Sequence, residues 1–106
     1  MAMFDKREKD FERKYIHDQE LVLKVDAYRN KLLGLWAAGK LGKKAAQAEE
    51  YANTLVAAEM EDKGHIVEKL LKDLTHAGVT VTIKDIRVEM ERLLAVAKKQ
   101  IMGAGD

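Results

Sequence analysis

Asn30-Lys31-Leu32-Leu33-Gly34-Leu35-Trp36-Ala37-Ala38 ends the run of sequence that decides the fold. Working back from it, Leu35, Leu32, Tyr28, Val25 and Leu21 fall at helical spacing and share one helix face. A stripe of that kind demands a packing partner. Continued further back, the same register meets Asp18, Lys14, Phe11, Arg7 and Phe4, so the stripe breaks and leaves only two Phe side chains one heptad apart. From Asp5 to Lys14 every residue except Phe11 is charged, with basic Lys6, Arg7, Lys9, Arg13 and Lys14 mixed among acidic Asp5, Glu8, Asp10 and Glu12. Such a segment can form a helix but has little to bury, and a short unpacked helix is marginal in water. A charged arm on a helical body is the layout of a protein that acts by inserting a segment into something else. Gly39 and Gly42 stop the first helix, and Gly39 is placed for a left-handed cap.

Three further segments show helical period. The second runs from about Lys44 to Asp62, with Ala48, Tyr51, Ala52, Leu55, Val56 and Met60 expected inward, and its Ala content points to close helix packing. Lys63-Gly64 ends it. The third is short, about Ile66 to Ala77, with Val67, Leu70, Leu71 and Leu74 as its stripe and Gly78 as its terminator. Val79-Thr80-Val81-Thr82 alternates like a strand, but no second strand exists to pair with it, so it reads as an extended connector. Thr82 is then an N-cap with Asp85 completing a box-like pair. The last helix reaches about Met102, lined by Ile83, Ile86, Met90, Leu93, Leu94, Ala97 and Ile101, before a Gly103–Asp106 tail. Short connections favour antiparallel neighbours. The expected fold is all-α, a small four-helix bundle over 19–106 carrying a mobile charged N-terminal arm over 1–18. Trp36 and Tyr28, at the end and middle of the first stripe, are expected in the core.

At 106 residues the chain is one domain with a modest core. It has no Pro, so nothing forbids long helices. It has no Cys, which removes disulfides, thiol nucleophiles and thiolate metal sites and fits a reducing cytosol. Charged residues make up 35% of the chain, yet the net charge is only +1. Balanced charge of this kind suits a solvated helix surface, not the basic field that phosphate backbones require, and argues against a nucleic-acid protein. No stretch approaches the ~20 apolar residues of a spanning helix, and the N-terminus lacks the apolar centre of a secretory signal. The expectation is a soluble, intracellular protein.

Chemistry is searched for and not found. The glycines Gly34, Gly39 and Gly42 follow no strand and lack phosphate-loop spacing. His17, His65 and His76 lie in separate segments, and none has a second His one turn away, so the zinc-helix motif is missing. Glu49 with Glu50, or Glu59, Glu61 and Asp62, are better explained as a solvated helix face than as an acid/base pair. No catalytic residue, metal site or cofactor is expected, and the chain does not read as an enzyme. The arm has two readings, a solvated N-terminus that frays and a segment that becomes helical on capture. In the second, Phe4, Phe11 and Tyr15 stack along one side while charges of both signs meet a polar groove.

The blocks Phe4–Glu8, Phe11–Tyr15 and His17–Leu21, with Arg29–Ala38 and Ile86–Ile101, together resemble the ζ subunit of the alphaproteobacterial F1Fo-ATP synthase. The resemblance spans essentially the whole chain in order. It departs at the turn before the third helix, where that family carries acidic residues after its Gly and this chain has His65-Ile66-Val67. What it implies is a four-helix bundle whose mobile N-terminal segment inhibits ATP hydrolysis. The segment becomes helical in a catalytic α/β interface of F1, reaches the γ stalk and blocks rotation in the hydrolytic direction. Carried over by position, the inhibitory element is about Met3 to His17, with Phe4, Arg7, Glu8, Phe11, Glu12, Lys14 and Tyr15 as partner contacts. The implied partners are the F1-ATPase α, β and γ subunits. The implied location is cytoplasmic, peripheral at the inner face of the cell membrane through F1 and without membrane insertion. A monomer is favoured. The alternative is a helical adaptor or assembly factor that binds a partner through a bundle face, with weak or no inhibition.

Overall fold

The structure, a computed structural model, describes residues 18–103; the expected arm, apart from its last residue Asp18, and the end of the tail lie outside them. The described part begins where the charge pattern changes. Asp18 is extended (φ −108°, ψ 98°), and its Oδ1 accepts the Leu21 N–H at 3.1 Å, capping helix α1, Gln19–Lys40. After it come α2, Ala46–Glu61, α3, Ile66–His76, and α4, Ile83–Met102. These are the four helices expected, and Val79–Thr82 forms no strand among the described residues.

The helix ends show how local chemistry sets the turns. It is Gly42, not Gly39, that takes the left-handed backbone at φ +80°. The Lys43 N–H donates to the Ala38 carbonyl at 2.9 Å and the Gly42 N–H to the Gly39 carbonyl at 3.2 Å, the paired bonds of a Schellman motif. Gly39 therefore sits inside α1, and the later stop brings Leu41 back onto the core. The same motif closes α3. Gly78 has φ +80°, the Val79 N–H reaches the Leu74 carbonyl at 2.9 Å, and Val79 packs against the core. At α4 the expected box is complete. Thr82 Oγ1 accepts from the Asp85 N–H at 3.1 Å, and Asp85 Oδ2 accepts from the Thr82 N–H at 2.9 Å. Those bonds hold the Asp85 carboxyl below its ordinary range.

α1 is the central helix, packed on α2 and on α4, while short α3 lies chiefly against α4. The core comprises Val25, Leu33, Ala37, Ala38, Ala52, Leu55, Ile66, Leu70, Leu74, Ile86, Leu93 and Ala97. A helix with two partners needs more than one buried stripe, and this corrects the reading of α1. Its buried arc starts at Val25 and turns away from the Leu21–Leu35 stripe to take in Asn30, Leu33, Gly34, Ala37 and Ala38. Leu21, Tyr28, Leu32 and Leu35 stay half-buried along the edge of that arc, and Trp36 is half-buried with the Lys40 ammonium 5.2 Å from its ring centre. Small residues sit where α1 and α2 come closest. A Cβ added at Gly34 would lie 2.7 Å from the Ala52 Cα.

Three side chains expected inward point out instead. Met60 is 70% exposed, Ile83 45% and Ile101 39%. Each lies in a terminal turn of its helix, where the neighbouring helix no longer covers it.

Candidate functional site

The predicted contacts Phe4, Arg7, Glu8, Phe11, Glu12, Lys14 and Tyr15 all lie outside the described residues. What the structure does describe is the start of α1, which follows that segment in the sequence. Asp18 caps α1 there, and because α1 and α2 are joined by a short turn and run antiparallel, the C-terminal end of α2 lies alongside. Leu23 and Met60 line a cleft of about 170 Å³ at this end, together with Val56 and the charged Asp26, Arg29, Glu59 and Lys63.

Glu59 is the organising residue of this end, a role that sequence reading missed. Its Oε2 accepts the Gly64 N–H at 3.0 Å, and its Oε1 accepts the His65 and Ile66 N–H groups at 3.2 and 3.1 Å. One carboxylate from α2 thus satisfies the free amides at the start of α3, where no side chain of the turn does so. The signal was present: a Glu five residues before Gly64 sits one turn below the break and can reach over it. His65 lies between two carboxylates, with Nε2 3.4 Å from Asp62 Oδ1 and Nδ1 3.5 Å from Glu68 Oε2. Glu49, read as a solvated carboxylate, pairs with Lys31 across α1 and α2 at 3.2 Å.

A second polar cluster ties α2 to α3. Asp73 Oδ2 accepts from the Tyr51 hydroxyl at 2.8 Å and from Lys69 Nζ at 2.9 Å. Burial, then the hydrogen bond to Asp73 and its charge, push the Tyr51 phenol above its ordinary value. Burial alone would raise the Asp73 carboxyl, but hydrogen bonds from Lys69 and Tyr51 and the charges of Lys69 and Lys72 outweigh it and hold the carboxyl below 3.8. Both groups move away from neutrality, so the pair is a structural tie and not a proton-transfer couple. A carboxyl whose folded pKa is depressed contributes stability above its unfolded value and loses it as pH falls through the folded one. We therefore expect the melting temperature to fall as acid is added below the ordinary 3.8, with Asp73→Asn flattening that fall. Melting curves of both chains down to about pH 3 check this, and an unchanged acid slope would mean that Asp73 does not carry it.

A wider groove of about 510 Å³ follows the outer face of α4, bordered by Arg29, Ile83, Arg87, Val88 and Leu94. Among the described residues no group of carboxylates and imidazoles is arranged to hold a metal ion. No described helix is long and apolar enough to cross a membrane.

The sequence model of one family, ATPase inhibitor subunit zeta, matches residues 1–100. The chain is also similar to a protein whose structure was solved by solution NMR. The two are 41% identical, with 76% of this chain and 94% of that one covered and a TM-score of 0.65. No curated protein matches. The matched region takes in the charged arm, the Asp18 cap and nearly all of the four-helix body, and on that extent the chain belongs to the ATPase inhibitor subunit zeta family.

Proposed function

We propose that the chain inhibits ATP hydrolysis by the F1 sector of ATP synthase by inserting its N-terminal arm at a catalytic α/β interface. Within that site the arm becomes helical, contacts the γ stalk and blocks its rotation. Phe4, Phe11 and Tyr15 supply the apolar side of the inserted segment, and Arg7, Glu8, Glu12 and Lys14 supply charges that pair with the walls of the site. The α, β and γ subunits are then the partners, and the protein sits on the cytoplasmic side of the membrane, held there by F1. An inhibitory, regulatory role is what membership of the family conveys; the route through the arm is the further step.

The observation that carries this reading is that the family match takes in both the charged segment and the helical body. Every buried apolar residue described falls between Val25 and Ala97, and the helix that holds the first of them is capped at Asp18. The family match nevertheless begins at residue 1. The family pattern thus extends over a segment in which every residue from Asp5 to Lys14 except Phe11 is charged, which has little apolar surface to add to a core and suits capture by a partner. Capture of such a segment spends ~2–5 kcal/mol of the gross interaction on ordering it, so the arm needs a deep site with many contacts, as an interface between two subunits provides.

The test is a titration of ATP hydrolysis by F1 freed of its own inhibitor. The full chain is expected to inhibit, saturating near one copy per F1. Phe11→Ala is expected to raise the half-inhibitory concentration roughly tenfold, as loss of an aromatic anchor does, with no change in melting temperature. A large drop in melting temperature would instead place Phe11 in the core, and undiminished inhibition would remove it from the contact.

A further inference from the structure

We propose that the cleft between α1 and α2 at the root of the arm is a second F1 contact, which receives an apolar side chain from the protein surface bordering the arm's site. The proposal rests on the arm-insertion reading and adds to it a docking surface on the bundle.

Two observations locate it. Leu23 is 58% exposed and Met60 70%, and both lie on the same cleft of about 170 Å³. That volume is below the ~300 Å³ at which pockets for small molecules begin, but it suits one large side chain. Val56 adds to the apolar lining, and Asp26, Arg29, Glu59 and Lys63 line the same cleft with charges of both signs. An apolar spot within a polar rim is the anatomy of a protein interface, in which a few central anchors carry the affinity.

The second observation is position. Leu23 follows the Asp18 cap by five residues, which places it ~7–8 Å along the helix axis at ~1.5 Å per residue. Met60 is in the last turn of antiparallel α2, at the same end. An arm of 17 residues spans only ~25 Å as a helix. Burying it therefore draws this end of the bundle against the mouth of the site, where Leu23 and Met60 meet the partner. Of the other exposed apolar residues, Ile83 and Val88 lie toward the far end, because α4 runs antiparallel to α1 and Asp85 feels the charge of Lys40, while the less exposed Ile101 lies in the last turn of α4. A partner gripping the arm would have to wrap along most of α1 to reach Ile83 and Val88. Joined to the arm on one chain, even a weak patch strengthens binding, since its engagement becomes intramolecular once the arm is held.

The experiment uses full-length chains and inhibitor-free F1. The double variant Leu23→Asp/Met60→Asp is expected to show a half-inhibitory concentration raised roughly tenfold or more and faster dissociation, with the native melting temperature. The arm variant Phe4→Ala/Phe11→Ala is expected to lose inhibition yet keep weak binding to F1, and the added patch substitutions should abolish that binding. The chain has no Cys, so a photo-crosslinker placed through Met60→Cys should link to F1 while one placed through Val88→Cys should not. Native inhibition by the patch variant, or crosslinking from position 88 and not 60, overturns the proposal. If the arm variant inhibits normally, it is the arm-insertion reading that fails, and crosslinking then decides the patch by itself.

Discussion

Gly34→Ala is expected to destabilise the bundle by about 1–3 kcal/mol, the usual cost of an extra carbon forced into a closed core, although Ala is the better helix former by about 1 kcal/mol. The added Cβ would sit 2.7 Å from the Ala52 Cα, 2.9 Å from the Ala52 Cβ and 3.2 Å from a Leu55 methyl. The nearest of these is backbone, which cannot rotate out of the way, so α1 and α2 must separate along their contact. Separation opens voids around Leu33, Ala37 and Leu55, which pack in the same cluster. Gly39→Ala, five residues on in the same helix, is the control. Nothing lies within 4 Å of its added Cβ and its backbone is helical, so the propensity gain is unopposed and the change should stabilise by about 0.5–1 kcal/mol. In a domain of this size each kcal/mol moves the melting temperature by roughly 4–8 °C. Thermal unfolding followed by circular dichroism should therefore shift in opposite directions for the two variants. A rise in both would show that propensity, not the approach to Ala52, governs position 34.

That pair of glycines also marks what the sequence could convey. The four helices, their order and the Thr82–Asp85 box were legible because each rests on spacing or capping within one short segment. The Ala content of α2 announced a close approach, but nothing local said which residue of α1 would meet it. Gly34 lies in the middle of an apolar run and looks like one more irregular glycine until Ala52 is placed over it. Likewise, the Leu21–Leu35 stripe identified the helix but misplaced its buried face, because a central helix serves two neighbours and one periodicity describes only one of them. Glu59 was read as a solvated carboxylate because its partners are backbone amides beyond the next turn, which no side-chain pattern reports. The exposed placements of Leu23 and Met60 have the same origin: exposure at the end of a bundle depends on where the neighbouring helices stop.

Removal of residues 1–17 is expected to abolish inhibition and leave the melting temperature unchanged to within about 2 °C. The structural half of this expectation rests on the core. Val25, Leu33, Leu55, Leu70, Leu74 and Ile86 are among its largest buried side chains, all supplied by the four helices, and the cap on α1 is Asp18 itself. A chain beginning at Asp18 keeps every one of these and the Schellman turns that close α1 and α3. The functional half follows from the contacts required. On the arm-insertion proposal, the inhibitor occupies a site between subunits and must withstand the ~2–5 kcal/mol that ordering a captured segment consumes. Among the described residues the concavities, such as the small cleft beside Leu23 and Met60 and the open groove along α4, lie on the surface of the bundle, and such surfaces suit docking better than deep insertion. The truncated chain should therefore bind F1 weakly through the cleft while hydrolysis proceeds at the uninhibited rate. Two measurements on the same sample, hydrolysis rate and retention on immobilised F1, separate the outcomes. Full inhibition by the truncated chain would move the mechanism from the arm to a face of the bundle. Binding by both chains with inhibition by neither would favour a helical adaptor, for which the arm is incidental.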